Sequence, residues 1–118
     1  MSNPPVLDPT TIENLRALSP DDNGEFLREI TGIFLSDTPL RITEMEQSQV
    51  SGETAKFTRA AHSIKGSAAN MGALALGAAA QALEAESKLK PLDQMTPLLE
   101  ALKAEYARAA VELKKLAT

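Results

Sequence analysis

Residue types that can carry chemistry are sparse in this chain, and its one histidine is the leading candidate. The 118 residues contain a single histidine, His62, and no cysteine, which excludes thiolate chemistry and every mechanism that needs two imidazoles. His62 lies in a helical pattern whose apolar stripe is centred on Ile64. At about 100° per residue the imidazole falls roughly 160° from that centre, on the outward face. We therefore expect an exposed ring, for which the plain alternative is a solvated histidine without a role.

Two neighbours of His62 favour a contact surface on this face. Gly66 follows one turn later in mid-helix, where glycine costs about 1 kcal/mol relative to alanine. Close approach by another molecule explains such a glycine. Lys65 lies about 60° round the helix from His62, so its ammonium can reach a group attached to the ring. A nucleophilic imidazole beside a mobile cation and an open landing area predicts a phosphoryl acceptor, because the cation offsets phosphoryl charge.

The segment around His62 resembles the signature of the histidine-containing phosphotransfer (HPt) domains of multistep two-component relays. The matching segments are residues 62–67 (HSIKGS), 71–72 (MG) and 83–84 (LE). Residues 34–39 (FLSDTP) also resemble the family's long second helix, which often carries a proline. The resemblance spans about residues 20–117, nearly the whole chain.

This resemblance implies a stoichiometric phosphocarrier and not an enzyme. It implies that His62 accepts a phosphoryl group from the aspartyl phosphate of one receiver domain and passes it to an aspartate of another. Lys65 would then lie near the phosphoryl group and Gly66 would leave the ring unobstructed, whereas Ser67 serves packing at the core edge. The resemblance also implies no ATP site, no cofactor and no metal in this chain, since the Mg²⁺ belongs to the receiver.

Apolar periodicity and turn residues divide the chain into helices. A loose lead-in of residues 1–7 precedes a short helix over residues 8–17, capped by Asp8 or Thr10. Longer helices are expected after residue 24 up to Gly52, then over residues 53–70, 73–89 and about 95–116. Pro39 should kink or split the first of these, and Gly72 should end the next. The predicted fold is all-α, an antiparallel up-down-up-down four-helix bundle with a short extra N-terminal helix.

Composition narrows the class of protein further. The net charge of −4 and the pI of about 5.0 argue against nucleic-acid binding. No window of about 18 apolar residues is present to span a membrane, and residues 1–9 lack the pattern of a secretory signal. We therefore expect one cytoplasmic, monomeric domain over residues 1–118, with the bundle core over about residues 20–117.

Other readings stay open at this stage. The acid pairs Asp21–Asp22 and Glu84/Glu86 are interpreted as solvated or capping acids, because a di-metal bundle needs Glu-x-x-His motifs that one histidine cannot supply. Gly77 is interpreted as permitting close helix packing. The alternatives to a phosphorelay protein are a phosphoacceptor domain cut from a larger hybrid or chemotaxis-type histidine kinase, and a helical adaptor without phosphotransfer.

Overall fold

The computed structural model describes residues 4–116 of the chain, which contain five α-helices. The helices are α1 (Pro9–Ala17), α2 (Glu25–Ser51), α3 (Thr54–Met71), α4 (Leu74–Ser87) and α5 (Thr96–Leu116), and a 3₁₀ turn, Leu92–Gln94, precedes α5. Helix α3 packs against α2 and α4, and α5 packs against α4 and α2. The predicted all-α fold is confirmed, with α2–α5 as the bundle and α1 as the extra N-terminal helix.

The apolar stripe of α3 sets the rotation of this helix in the bundle. Phe57 and Ile64 are fully buried, and burying side chains of this kind contributes about 1.5–3 kcal/mol each. Met71 and three alanines fill the rest of the buried stripe, and the alanines let the neighbouring helices approach closely; they are Ala60, Ala61 and Ala68. Because these positions lie inward, the opposite face of α3 is directed away from the core.

Gly72 ends α3, as predicted, and also admits α1. Its φ of +72° is the left-handed conformation that glycine adopts without strain, and its N–H closes the last turn onto α3 carbonyls. A Cβ at this position would lie 2.8 Å from the Cβ of Thr11 on α1. Glycine is therefore required here both by the turn and by the close approach of the N-terminal helix.

The described end of the predicted lead-in is attached to the bundle. The Pro5 carbonyl accepts a hydrogen bond from the N–H of Ala75 at 3.0 Å, and Asp8 N–H donates to the Gly72 carbonyl at 2.7 Å. Val6 and Leu7 are partly buried against the core. The looseness expected of residues 1–7 therefore does not hold for residues 5–7, whereas residues 1–3 lie outside the described part. Asp8 caps α1, as predicted, by accepting from Thr10 N–H.

Pro39 does not split α2, which is continuous over Glu25–Ser51. Proline has no N–H to donate to the carbonyl four residues earlier, here that of Leu35. The hydroxyl of Tyr106 on α5 donates to this carbonyl, with a long hydrogen bond of 3.3 Å. Of the two predicted outcomes, a kink or a split, the split is therefore wrong, and a side chain from another helix supplies a donor in place of the missing backbone N–H.

We expect Tyr106→Phe to lower the free energy of unfolding by about 0.5 kcal/mol, at the weak end of the range for a hydrogen bond. The contact of ring 106 with Phe34, at 6.0 Å between centroids, is retained in this variant. In a Pro39→Ala background the loss should shrink, because the Leu35 carbonyl regains an intrahelical donor. Urea unfolding of the four proteins in a double-mutant cycle measures the coupling. An equal loss in both backgrounds would show that the two residues act independently.

Candidate functional site

His62 lies on the outward face of α3, as the helical period predicts. Its side chain is 65% exposed, although Ala61 just before it and Ile64 two residues after it are fully buried. The ring is therefore held by a rigid helix and is reachable from outside. Its orientation is determined by a neighbour on α4.

Glu84 connects the ring to Lys65. One carboxylate oxygen of Glu84, Oε2, lies 2.7 Å from His62 Nδ1, and the other, Oε1, lies 2.6 Å from Lys65 Nζ. The Glu84 side chain is only 14% exposed, since α4 packs along α3 at this level. The interpretation of Glu84 as a solvated or capping acid is wrong: it bridges the two α3 side chains that the motif singled out.

The charge state of Glu84 decides which ring nitrogen can react. The hydrogen bond from Lys65 is the largest cause that lowers the pKa of Glu84 below its usual value of 4.5, partial burial opposes it, and the hydrogen bond from His62 adds to it. Glu84 is therefore an anion at neutral pH and can only accept hydrogen bonds. It follows that Nδ1 carries the proton and donates to Glu84, so the lone pair of a neutral His62 is on Nε2.

Gly66 leaves space open beside the ring. It is exposed one turn after His62, and a Cβ built at this position would have no heavy atom of another element or side chain within 4 Å. No contact among residues 4–116 therefore explains a glycine in mid-helix. Ala69, the next residue on the same face, is exposed too. This exposed surface, formed by small residues, agrees with the expectation that another molecule approaches α3 here.

An apolar groove runs beside this face, between α1, α2 and α3. Ser67 lines it and is partly buried, which agrees with the packing role predicted for this residue. Ile33 stands at the groove with 61% of its surface exposed. The other apolar lining residues are Leu15, Phe26, Ile30, Phe34 and Met71. Apolar surface is thus left uncovered beside the face of α3 that carries His62.

Of the acid pair just before α2, Asp22 has a structural role. Asp22 accepts hydrogen bonds from Phe26 N–H at 2.8 Å and from Gly24 N–H at 3.1 Å, which confirms capping.

Within residues 4–116, no three His, Asp or Glu side chains are grouped as a metal ion requires. In the same part of the chain, no helix is long and apolar enough to cross a membrane.

Comparison with models of protein families shows to which family this chain belongs. The model of the Hpt domain matches residues 29–112 of the chain. The chain belongs to the Hpt domain family. The resemblance that the motif around His62 indicated is thereby confirmed for this Hpt domain. A search of curated protein sequences gave no significant match.

Solved structures share the fold of this Hpt domain. Histidine-containing phosphotransfer protein B from Pseudomonas aeruginosa is 25% identical, with a TM-score of 0.86 over 96% of this chain and 95% of that one. The phosphotransfer protein MtHPt2 from Medicago truncatula is 24% identical, with a TM-score of 0.83 over 94% of this chain and 76% of that one. The Hpt domain of a Shewanella sensor hybrid histidine kinase is 15% identical, with a TM-score of 0.69 over 94% and 92% of the two chains.

Proposed function

We propose that this Hpt domain is a phosphocarrier of a multistep two-component phosphorelay and that His62 is its phosphoryl acceptor. The donor is an aspartyl phosphate on one receiver domain, and the final acceptor is an aspartate on another. The family supports a role in histidine phosphotransfer. The observation that carries the assignment is that His62 is exposed and held through Nδ1 by Glu84, which leaves Nε2 free to react.

The transfer step balances without any change in the number of protons at the site. The Nε2 lone pair attacks the phosphorus of the acyl phosphate, and a P–N bond forms. The P–O bond to the aspartate breaks, and its electron pair leaves on the carboxylate. The ring keeps its Nδ1 proton and becomes a positively charged phosphoimidazolium. Glu84, 2.7 Å from Nδ1, stabilises that charge as it develops. Transfer to the second receiver runs through the same step in reverse.

Lys65 is a secondary electrostatic and positioning group. Its ammonium is held by Glu84 at 2.6 Å and so stays near the ring before any phosphoryl group arrives. When His62 is phosphorylated, the ammonium can turn to the phosphoryl oxygens while the ring keeps its own bond to Glu84. Glu84 thus holds both the nucleophile and the cation in the arrangement that the transfer needs.

In this proposal the receiver docks on the exposed surface of α3 around Gly66 and on the apolar groove next to it. A residue with a side chain at position 66 would stand beside the ring, where a Cβ would have no atom of another described helix within 4 Å. Ile33, exposed at the groove, offers apolar area of the kind that forms the centre of a protein interface. Contacts of the receiver around Gly66 and in the groove would then position its phosphoryl group against His62.

We expect Lys65→Ala to slow transfer about tenfold without abolishing it. Losing one donor to a developing anion costs roughly 3 kcal/mol in a dry site, but Lys65 is 36% exposed, so water offsets part of the loss. Lys65→Arg should restore the rate only in part, because a planar guanidinium cannot replace a compact ammonium. Single-turnover time courses with a phosphorylated receiver measure these rates.

The matched control for Lys65 is Lys90→Ala. Lys90 is also an exposed lysine paired with a glutamate of α4, Glu86, at 3.0 Å, but it lies outside the proposed site. Its loss should leave the transfer rate unchanged. Equal rates for wild type and both Lys65 variants would reduce Lys65 to a surface charge. Complete loss in folded Lys65→Ala would give it a larger part than proposed here.

Transfer from isolated receivers tests the proposed function. The purified protein is mixed with labelled phospho-receivers in the absence of ATP, and we expect the label to move to His62 and on to a second receiver, one group per chain. Absence of transfer from every receiver of the source organism would favour a helical adaptor. Label that appears only with a kinase domain and ATP would favour the phosphoacceptor domain of a larger kinase.

The cytoplasmic location, the monomeric state and the single domain over residues 1–118 stay predictions.

A further inference from the structure

Helix α3 carries an unusual set of charges for this chain. Its charged residues are three cations, Lys56, Arg59 and Lys65, and no acid, although the whole chain has a net charge of −4. Its first turn, where the helix dipole favours anions, holds no acidic residue. Among the five described helices, the one that bears His62 therefore has the largest net positive charge.

Arg59 differs from the other cations of α3 because it has no partner. Lys56 is paired with Glu53 at 3.5 Å, and Lys65 with Glu84 at 2.6 Å. Within residues 4–116, Arg59 makes no ion pair and no side-chain hydrogen bond, and it is exposed. Each of the other arginines does have a partner, at Glu13, the Asn23 carbonyl, Asp37 and Glu105. The one guanidinium left without a partner is therefore next to the reactive histidine.

The position of Arg59 places it at the rim of the site. It precedes His62 by three residues, so the two lie on neighbouring positions of one face, and Lys65 lies one turn beyond His62. Helical side chains lean towards the N-terminus of their helix. Lys65 therefore leans towards the ring, whereas Arg59 leans away from it, over the start of α3. A protein that covers His62 would meet Arg59 at its edge.

We propose that Arg59 is a docking residue that pairs with a carboxylate on the surface of the protein exchanging phosphoryl groups with His62. The inference rests on the proposed function and extends it to a specific contact. The guanidinium is suited to this because its planar fork binds a carboxylate with two parallel hydrogen bonds. A charge at the rim of an interface acts on the rate of association and on its salt dependence more than on the chemical step.

Neutralising Arg59 should weaken encounter and leave chemistry unchanged. We expect Arg59→Gln to raise the half-saturating receiver concentration about fivefold at low salt, within the range for exposed ion pairs. Arg59→Glu should raise it further, because it places like charges opposite each other, and Arg59→Lys should recover most of the loss. The maximal transfer rate at saturating receiver should be unchanged. The differences should vanish at about 1 M salt, where screening acts within 3 Å.

The experiment measures single-turnover transfer from a phosphorylated receiver over a range of receiver concentrations, at low and at high salt. Arg108→Gln is the matched control, since it removes an exposed arginine on α5. A second reaction uses phosphoramidate, a small phosphoryl donor that needs no docking surface. In it we expect every Arg59 variant to be phosphorylated, and to lose its phosphoryl group to water, at the wild-type rate.

Two results would overturn the docking role. Unchanged half-saturation in Arg59→Glu at low salt would show that no carboxylate meets this residue. Altered reaction with phosphoramidate, or altered hydrolysis of the phosphohistidine, would mean that Arg59 contacts the phosphoryl group itself. Failure of the proposed function looks different, because then the wild-type protein accepts no phosphoryl group from a phosphorylated receiver at any receiver concentration or salt.

Discussion

We expect the His62→Gln variant to accept no phosphoryl group from any donor and to keep its fold. Glutamine has no nucleophilic nitrogen, but its amide N–H can still donate to Glu84 in place of Nδ1. Because the His62 side chain is 65% exposed, the free energy of unfolding should change by no more than about 0.5 kcal/mol. Labelling with a phosphorylated receiver, together with circular dichroism and urea unfolding, measures both quantities.

The control for this variant is Ser63→Ala, which removes the hydroxyl next to the proposed acceptor. It should be labelled like the wild type. Label retained in His62→Gln would show that another side chain accepts the phosphoryl group. Loss of label together with loss of helical signal would leave the role of His62 to be tested with His62→Asn, which is smaller and still polar; label on a folded His62→Asn protein would contradict the assignment.

The second large effect is expected at Gly66. We expect Gly66→Gln to lower the rate of transfer about a hundredfold, since displacing a reacting group by about 1 Å can cost that much. The free energy of unfolding should not fall, because a Cβ at position 66 meets no other described helix within 4 Å and glutamine forms helices better than glycine. The effect on transfer and the effect on stability should thus have opposite signs.

Gly66→Ala is the size control for this prediction. Its methyl group should raise the free energy of unfolding by up to about 1 kcal/mol and slow transfer far less than glutamine does. Single-turnover rates and urea unfolding of the three proteins give the comparison. A wild-type rate for Gly66→Gln would show that the receiver does not approach this side of the ring.

Features that depend on one helix alone could be predicted from the sequence. The period of 3.6 residues was sufficient to assign the buried stripe of α3 and the outward face of His62, because the apolar residues at 57, 60, 61, 64 and 68 admit a single rotation. Gly72 was recognised as the end of α3 for a similarly local reason, its left-handed φ. The approach of Thr11 to that glycine was not predictable, since it depends on where α1 packs.

Features that depend on two helices were missed or misjudged. The bridge from Glu84 to His62 and Lys65 requires the register of α4 along α3, which periodicity does not supply. The one signal was that Glu84 belongs to the segments that resemble the family. Pro39 was expected to kink or split α2, and only the packing of Tyr106 from α5 shows how the freed carbonyl is satisfied.

For Gly77, too, the role predicted from the sequence differs from the contact seen between two helices. It was interpreted as a residue that lets helices pack closely. A Cβ at Gly77 would lie 3.7 Å from the Cβ of Ala68, an ordinary contact distance, so an alanine would fit between α3 and α4. Close packing at this point therefore depends on Ala68 being small more than on the absence of a side chain at position 77.

The nitrogen that carries the phosphoryl group tests the central claim most directly. Nitrogen NMR of the labelled, phosphorylated protein resolves the two ring nitrogens of His62 by their coupling to phosphorus and to the ring protons. We expect phosphorus on Nε2 and a proton on Nδ1, hydrogen-bonded to Glu84. Phosphorus on Nδ1, or on any side chain other than His62, would contradict it.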